Sequence, residues 1–276
     1  MRKIKYPLVI SDFDGTLVKA NGEISEENKK AIAEYIAAGG AFAISTGRLP
    51  AGILPRAREL GLKGLVCCCQ GAIVIDIESG EVVFEKTLSM QSTLTACRKM
   101  EELDLHIHLY DLWEYYSNKD DEPLKYYENA VRRKAVRITD EPLSVFAERK
   151  GIRAYKLLAM VEEEKSKSIV KELEKADIEG CALTQSGSFL VEVVNKAYSK
   201  ATAVEFLAKY YGVPVEKTLA IGDQLNDIPM IERAGFGAAV ANADEALKRV
   251  ADFVSDKTND EGAVGSIIKK FVYTEE

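Results

Sequence analysis

Residues 8–18 read Leu8-Val9-Ile10-Ser11-Asp12-Phe13-Asp14-Gly15-Thr16-Leu17-Val18, a short apolar run that ends in two aspartates and a glycine. An uninterrupted apolar run of this length predicts a strand covered on both faces, as in a parallel sheet. Four further runs repeat it: Ala41 to Ser45, Gly64 to Cys69, Thr218 to Ile221 and Gly237 to Val240, with helical segments after them. That rhythm predicts an α/β fold in which crossover helices link parallel strands. The first helix is signalled by Ser25 as its cap, acidic residues in its first turn, and Gly39 and Gly40 beyond its last apolar position.

After the third strand the pattern changes. Ile73 to Asp76 and Val82 to Phe84 flank Glu78-Ser79-Gly80 and predict a hairpin rather than another crossover. From about Glu85 to Gly187 helix-like stretches (Ser92 to Leu103, Glu163 to Lys175) mix with strand-like ones (Leu105 to Tyr110, Arg153 to Val161). The expected organisation is a core in two pieces, residues 1–84 and 188–276, with an inserted α+β unit over residues 85–187. A chain of 276 residues suits two such units better than one.

The composition narrows the function classes. An apolar fraction of 47% beside 29% charged residues belongs to a folded protein. A net charge of -7 argues against a nucleic-acid or acidic-membrane surface, since both need clustered Lys and Arg. No stretch approaches the roughly 20 apolar residues that span a bilayer, and Met1 to Tyr6 carry no apolar signal region, so a cytoplasmic protein is expected. Five cysteines, three of them adjacent at Cys67 to Cys69, predict reduced core residues rather than a disulfide framework. Monomer and homodimer stay equally open.

Ligands of open α/β sheets bind beyond the carboxyl ends of the strands. The residues there are Asp12 and Asp14 after the first strand, Thr46, Gly47 and Arg48 after the second, Gln70 and Gly71 after the third, and Asp223, Asn226 and Asp227 after the fourth. Four carboxylates aimed into one crevice repel each other unless a cation sits among them, and all-oxygen ligands favour a hard ion such as Mg²⁺. Because Mg²⁺ keeps positions for water and substrate phosphate, a small phosphorylated metabolite is the expected partner.

The run Asp12-Phe13-Asp14-Gly15-Thr16-Leu17-Val18 resembles the first motif of the haloacid dehalogenase (HAD) superfamily of phosphotransferases. Thr46-Gly47-Arg48 resembles the second motif, Ser199-Lys200 the third, and Gly222-Asp223-Gln224-Leu225-Asn226-Asp227 the fourth, in the family's order. An insert of about a hundred residues between the second and third motifs is similar to the cap of Cof-type sugar-phosphate phosphatases. Asn242-Ala243 and Asn259-Asp260-Glu261-Gly262 also look like Cof-type features. One departure stands out: Gln70-Gly71-Ala72 occupies the place where that branch usually has Asn-Gly-Ala. The resemblance implies a Rossmann-like three-layer core, an α+β cap, and Mg²⁺-dependent hydrolysis of a phosphomonoester through an aspartyl-phosphate.

Under that resemblance Asp12 is the nucleophile, a carboxylate that needs no deprotonation at neutral pH. Asp14 protonates the leaving oxygen and later activates water. Thr46 offers its hydroxyl and backbone N–H to the phosphoryl oxygens, and Gly47 lets the backbone approach them. Arg48 either reaches the phosphate or lies on the surface. Lys200, in the first turn of a helix starting near Ser199, neutralises the nucleophile, and Gln70, Gly71 and Asn226 hold the substrate. Asp223 joins Asp12 on the metal with the backbone oxygen of Asp14; Asp227 either joins them or orients Lys200.

Two rival functions use much the same residues, a sugar-phosphate mutase and a non-catalytic phospho-acceptor switch. A hundred-residue lid suits an enzyme that must exclude water better than a switch. Sugar phosphates, phosphoglycolate, pyridoxal phosphate and nucleotides all remain eligible as substrates. In the insert, His106, His108 and Tyr110 alternate along one strand face and read as sheet-face residues, not metal ligands, since no third ligand lies nearby in sequence. The aromatic run Trp113, Tyr115, Tyr116, Tyr126 and Tyr127 reads as packing.

Overall fold

The computed structural model describes residues 3–274. Met1 and Arg2, which open the segment read above as lacking an apolar signal, lie outside the described residues, as do Glu275 and Glu276. The chain starts β1 (Leu8–Ser11), α1 (Glu26–Ala37), β2 (Ala41–Ser45), α2 (Pro50–Glu59), β3 (Leu65–Cys68), β4 (Ile73–Asp76), β5 (Val82–Glu85). It continues with α3 (Met90–Glu102), β6 (His106–Tyr110), β7 (Tyr115–Ser117), α4 (Glu122–Val131), β8 (Val136–Arg137), α5 (Leu143–Lys150), β9 (Lys156–Met160), α6 (Glu163–Glu174), β10 (Cys181–Gly187) and β11 (Leu190–Asn195). It ends with α7 (Lys200–Tyr210), β12 (Thr218–Gly222), α8 (Ile228–Arg233), β13 (Phe236–Ala239), α9 (Glu245–Val250), β14 (Phe253–Val254) and α10 (Ala263–Phe271).

Eight strands form the first sheet in the order β14, β13, β12, β1, β2, β3, β4, β5. From β14 to β3 all neighbours are parallel, whereas β4 and β5 extend the edge as an antiparallel hairpin. Every residue of β1, β3 and β12 is buried, so helices cover both faces and the layers number three. α1 begins as expected, with the Ser25 hydroxyl accepting from the Asn28 N–H and Glu26 and Glu27 opposing the positive end of the helix dipole.

The second sheet runs β10, β11, β9, β6, β7, β8 and is antiparallel except where β7 meets β8. Here the structure corrects the reading that the core resumes at residue 188. β10 and β11 pair from Cys181 with Asn195 to Gly187 with Leu190, and a connection as short as Ser188-Phe189 keeps both strands in one sheet. The chain therefore returns to the first sheet only after Asn195.

Each sheet has its own apolar core, and the second is built from residues such as Met100, Ile107, Leu109, Leu157 and Val193. Tyr110, Tyr115, Tyr155 and Leu158 of the insert join the first core instead, so the two units share a packed contact. Cys67, Cys68, Cys69 and Cys97 are buried and unpaired, and burial pushes the Cys67 thiol up to about 12, as suits inert core residues. No helix among the described residues is long and apolar enough to cross a membrane.

Asn28 ties three elements together. Fully buried in α1, it donates to the Leu17 carbonyl at 3.0 Å and accepts from the Gly265 N–H of α10 at 2.7 Å. Asn28→Ala leaves both backbone groups without a partner, at about 1–3 kcal/mol for each. Urea denaturation should show that loss; a change below about 0.5 kcal/mol would mean that the two groups find other partners.

Candidate active site

The predicted strand-end residues converge at the carboxyl edge of β1, β2 and β12. Asp12 follows β1 with its N–H bonded to the Ile221 carbonyl of β12 at 2.9 Å, so the loop leaves the sheet at a fixed point. Lys200 opens α7 behind the Ser199 cap, and its ammonium, completely buried, donates to both Asp12 Oδ1 and Asp227 Oδ1. The contact to Asp227 is 2.5 Å long. The two carboxylates offset a cation that would otherwise face the positive end of its own helix.

Asp227 has its second oxygen committed as well, accepting the N–H groups of Asp223 at 3.0 Å and Gln224 at 3.1 Å. Asp223 is oriented by Thr16, whose hydroxyl donates to Oδ1 at 2.6 Å, and by Gln224 Nε2 on Oδ2 at 3.2 Å. Asp12, Asp223 and Asp227 each bring an oxygen within 4.8 Å of the others. Asp227 has one oxygen on the Lys200 ammonium and the other shared by two backbone N–H groups, whereas Asp223 is held only by single hydrogen bonds from neutral side chains, so Asp12 and Asp223 are the candidate metal ligands and Asp227 orients Lys200 and the loop.

Burial pushes the Asp12 carboxyl well up; Lys200 pulls it back, while Asp227, Asp223 and Asp14 add to the rise. Burial and Asp227 likewise push Asp223 up to about 7, with the Thr16 hydrogen bond opposing. Burial works against the Lys200 charge, but Asp12 and Asp227 outweigh it and hold the ammonium above its ordinary value. Buried oxygens with so much mutual repulsion fit a hard divalent cation, which would stabilise both as carboxylates.

Three residues make contacts that the sequence reading did not include. The Asp14 carboxylate is outside the trio: Arg48 grips it bidentately, both contacts 2.7 Å, and half of its side-chain surface is exposed. Arg48, mostly buried, thus does not float on the surface: it lines the cavity with its fork on Asp14, and it also donates to the carbonyls of Ala130 and Val131 in the insert. The Thr46 N–H is committed to the Cys67 carbonyl at 2.9 Å, extending the β2–β3 ladder, so only the hydroxyl remains for a ligand.

The loop after β3 is the least ordinary backbone in the site. Cys69, Gln70 and Gly71 all have positive φ, at 48°, 60° and 93°. For the two that are not glycine this costs on the order of 1–3 kcal/mol each. Their N–H groups bond to the carbonyls of Arg48 and Thr46, at 3.1 Å each, which locks this loop to the second one. Gly71 does not line the cavity; it lets α7 approach, since a Cβ there would sit 2.5 Å from the Ser199 carbonyl. Gly47 likewise makes room, because its Cβ would lie 2.7 Å from Gln70 Nε2.

A cavity of about 220 Å³ lies over Asp12, Asp14, Thr46 and Gly47, closed on the other side by the insert through Tyr127, Lys156, Phe189 and Glu192. The sequence reading passed over Lys156 and Glu192. Each was visible as one charge inside an apolar strand, in Lys156-Leu157-Leu158-Ala159-Met160 and Leu190-Val191-Glu192-Val193-Val194. Both are buried and paired at 3.0 Å. Tyr126 and Tyr127, read as packing, also line the cavity, and the Tyr127 and Tyr110 hydroxyls are 2.6 Å apart.

His106 and His108 share a face as expected, with Nε2 atoms 3.2 Å apart and His106 bonded to Ser117 at 3.0 Å. Burial pushes both imidazoles down, and His108 well down. The tail residues brace the loop after β1: Asn242 donates to the Gly15 carbonyl at 2.9 Å and Asn259 to the Val18 carbonyl at 2.8 Å.

A family model described as haloacid dehalogenase-like hydrolase matches residues 9–268. The chain is 28% identical over 284 residues to phosphatase YwpJ of Bacillus subtilis, covering 95% of this chain and 98% of that relative. It is also 28% identical over 268 residues to the 5-amino-6-(5-phospho-D-ribitylamino)uracil phosphatase YcsE of the same organism, covering 96% and 95%. Among solved structures, a haloacid dehalogenase-like hydrolase from Bacteroides thetaiotaomicron aligns with a TM-score of 0.81 at 29% identity, covering 96% of this chain and 99% of that one. Another from B. subtilis aligns at 0.84 with 27% identity and the same coverage.

The division of labour among the aspartates predicts unequal effects on cation binding. Calorimetric titration with Mg²⁺ should show none to Asp223→Ala, but binding weakened about 10–100-fold to Asp227→Asn, as for a partner behind the ligands. Equal loss in both variants would make Asp227 a ligand in its own right.

Proposed function

We propose that this chain, which belongs to the haloacid dehalogenase-like hydrolases, hydrolyses a small phosphomonoester by passing the phosphoryl group through an aspartyl-phosphate on Asp12. The observation that carries this reading is the Asp12 carboxylate, held by a buried ammonium in a cavity between the two units, with Asp14 and Thr46 on the same wall. A nucleophile that needs no base, a neutralising cation and a covered space are what phosphoryl transfer requires.

Asp12 and Asp223, with the Asp14 backbone oxygen, would hold Mg²⁺. When bound, the ion would neutralise charge on the transferring phosphoryl oxygens and screen Asp12 from the incoming dianion. The protein's own residues do the rest. Lys200 neutralises Asp12 as the phosphate approaches, and the Thr46 hydroxyl donates to a phosphoryl oxygen. Asp14 first gives a proton to the leaving oxygen and then takes one from the attacking water. In the present arrangement Arg48 holds Asp14 as an acceptor, so the acid role needs that fork to turn away. The cavity's size favours a compact leaving group, and unpaired cysteines throughout are in keeping with the cytoplasm.

Asp12→Asn keeps the shape of the site and removes the attacking charge. Purified, folded Asp12→Asn should release no phosphate from any ester in a panel, and excess chelator should silence the wild type. Turnover near the wild-type rate in either case would remove the nucleophile or the cation from the reading.

The acid role of Asp14 is isolated by the leaving group. A sugar alkoxide needs a proton and 4-nitrophenolate does not, and general acids contribute about 10²–10⁴-fold. In rapid-quench measurements Asp14→Asn should give a near-normal first burst of 4-nitrophenol and a strongly slowed first turnover of a sugar phosphate. Equal slowing of both would assign Asp14 to geometry instead.

A further inference from the structure

Gln70 reaches across the boundary between the two units. Its Nε2 donates to Glu192 Oε2 of β11 at 3.1 Å, and its Oε1 accepts from Asn226 Nδ2 at 3.0 Å. Gln70 is 3% exposed, and the left-handed backbone locked to Thr46 and Arg48 aims its side chain past Gly47. Glu192 is itself held from the insert side: Lys156 donates to Oε1 at 3.0 Å and Ser186 at 2.6 Å, while the Lys156 ammonium lies 4.6 Å from the Tyr110 ring centre. An unbroken line of contacts therefore runs from Lys156 through Glu192 and Gln70 to Asn226, beside the catalytic aspartates.

An amide can be turned end for end at little cost in shape, so what fixes its direction is the partner that admits only one end. Glu192 is that partner. A carboxylate only accepts, so it demands the Nε2 end of Gln70; this turns Oε1 towards Asn226, which must then answer with Nδ2. Asn226 Oδ1 is thereby left buried without a hydrogen-bond partner in the wall of the cavity. In this direction the unpaired end of the amide is an oxygen, which pairs with an O–H group and not with a phosphoryl oxygen.

We propose that Glu192 and Gln70 are positioning residues that set the direction of the Asn226 amide, so that the insert, when seated on the core, decides whether Asn226 accepts or donates. If the insert lifts, the Gln70–Glu192 bond breaks and both amides are free to turn. The hydrogen-bonding character of the core site is then coupled to cap closure through one side chain. The proposal rests on the phosphatase reading only for its kinetic test.

A reciprocal exchange tests it. In Glu192→Gln, Lys156 and Ser186 keep the oxygen of residue 192 and its amide donates to Gln70, so the line reverses, and in Gln70→Glu two carboxylates meet; each should lower kcat/KM for phosphate release about 10–100-fold, as outer partners do. The double variant Gln70→Glu/Glu192→Gln restores a carboxylate–amide pair and still demands Nδ2 from Asn226, so it should recover most of the loss. A double variant as slow as the product of the two singles, or singles without effect, would overturn the proposal. Thermal melts exclude unfolding as the cause, and Gln70→Met, which removes the amide without moving a charge, should lose as much as Glu192→Gln. A second readout needs no turnover. The Asn226 side-chain amide protons should exchange slowly by NMR in the wild type and fast in Gln70→Met; fast exchange in the wild type would mean that the line does not exist. If no ester is turned over, the phosphatase reading fails and the exchange measurement still decides this one.

Discussion

Lys200 places a wholly buried ammonium between Asp12 and Asp227, and much of the site's architecture can be traced from that triangle. A buried cation without partners would shed its proton, and two buried carboxylates without a cation would take one up. Held together, Asp12 and Asp227 keep the ammonium charged, and the ammonium offsets part of the burial that lifts the Asp12 carboxyl. The triangle also draws three distant segments to one point: the end of β1, the start of α7 and the loop after β12. Asp227 extends the arrangement by accepting two backbone N–H groups, which fixes the loop that carries Asp223. Charge compensation and backbone geometry at this point are one problem with one solution.

Around the triangle, the loops are held by each other more than by solvent. The β3 loop bonds to the β2 loop through Cys69 and Gln70, the tail segments at Asn242 and Asn259 hold the Gly15 and Val18 carbonyls, and Arg48 reaches from the core to Asp14 and into the insert. Strained left-handed residues persist there because the surroundings over-determine them. Such a rim is rigid where the phosphate would sit. It also means that the insert contributes directly, since Lys156 and Glu192 close the cavity from above.

Much of this was legible in the residues themselves. The strand ends named the site because apolar runs show where a parallel sheet stops, and Asp12, Thr46 and Asp223 fall where that logic puts them. Ser25, with the acidic residues after it and Gly39 and Gly40 beyond, announced its helix by start and stop chemistry. What the sequence hid was direction and pairing. Nothing in Thr46-Gly47-Arg48 says that the Thr46 N–H belongs to the sheet or that Arg48 would turn back onto Asp14. The end of the insert was misread because an apolar strand such as Leu190-Val191-Glu192-Val193-Val194 looks the same in either sheet, and only the tight turn before it settles its partner. The single charge in that strand and in β9 was the missed signal for the cavity's far wall.

The pairing of β1 with β12 has a further consequence, for the order of assembly. Leu8 lies beside Thr218, with the whole insert between them in the chain. Closing so long a loop is entropically costly until many contacts form at once, and non-local pairing of this kind is slow. As the chain emerges from a ribosome, β1, β2 and β3 wait with one edge open, while the second sheet has all its strands within one stretch and its own apolar core to collapse on. Asp12 exists early, but Lys200, Asp223 and Asp227 arrive last. During synthesis the exposed flank of β1 is the molecule's point of vulnerability, an unpaired apolar edge whose proper neighbour has not yet been made.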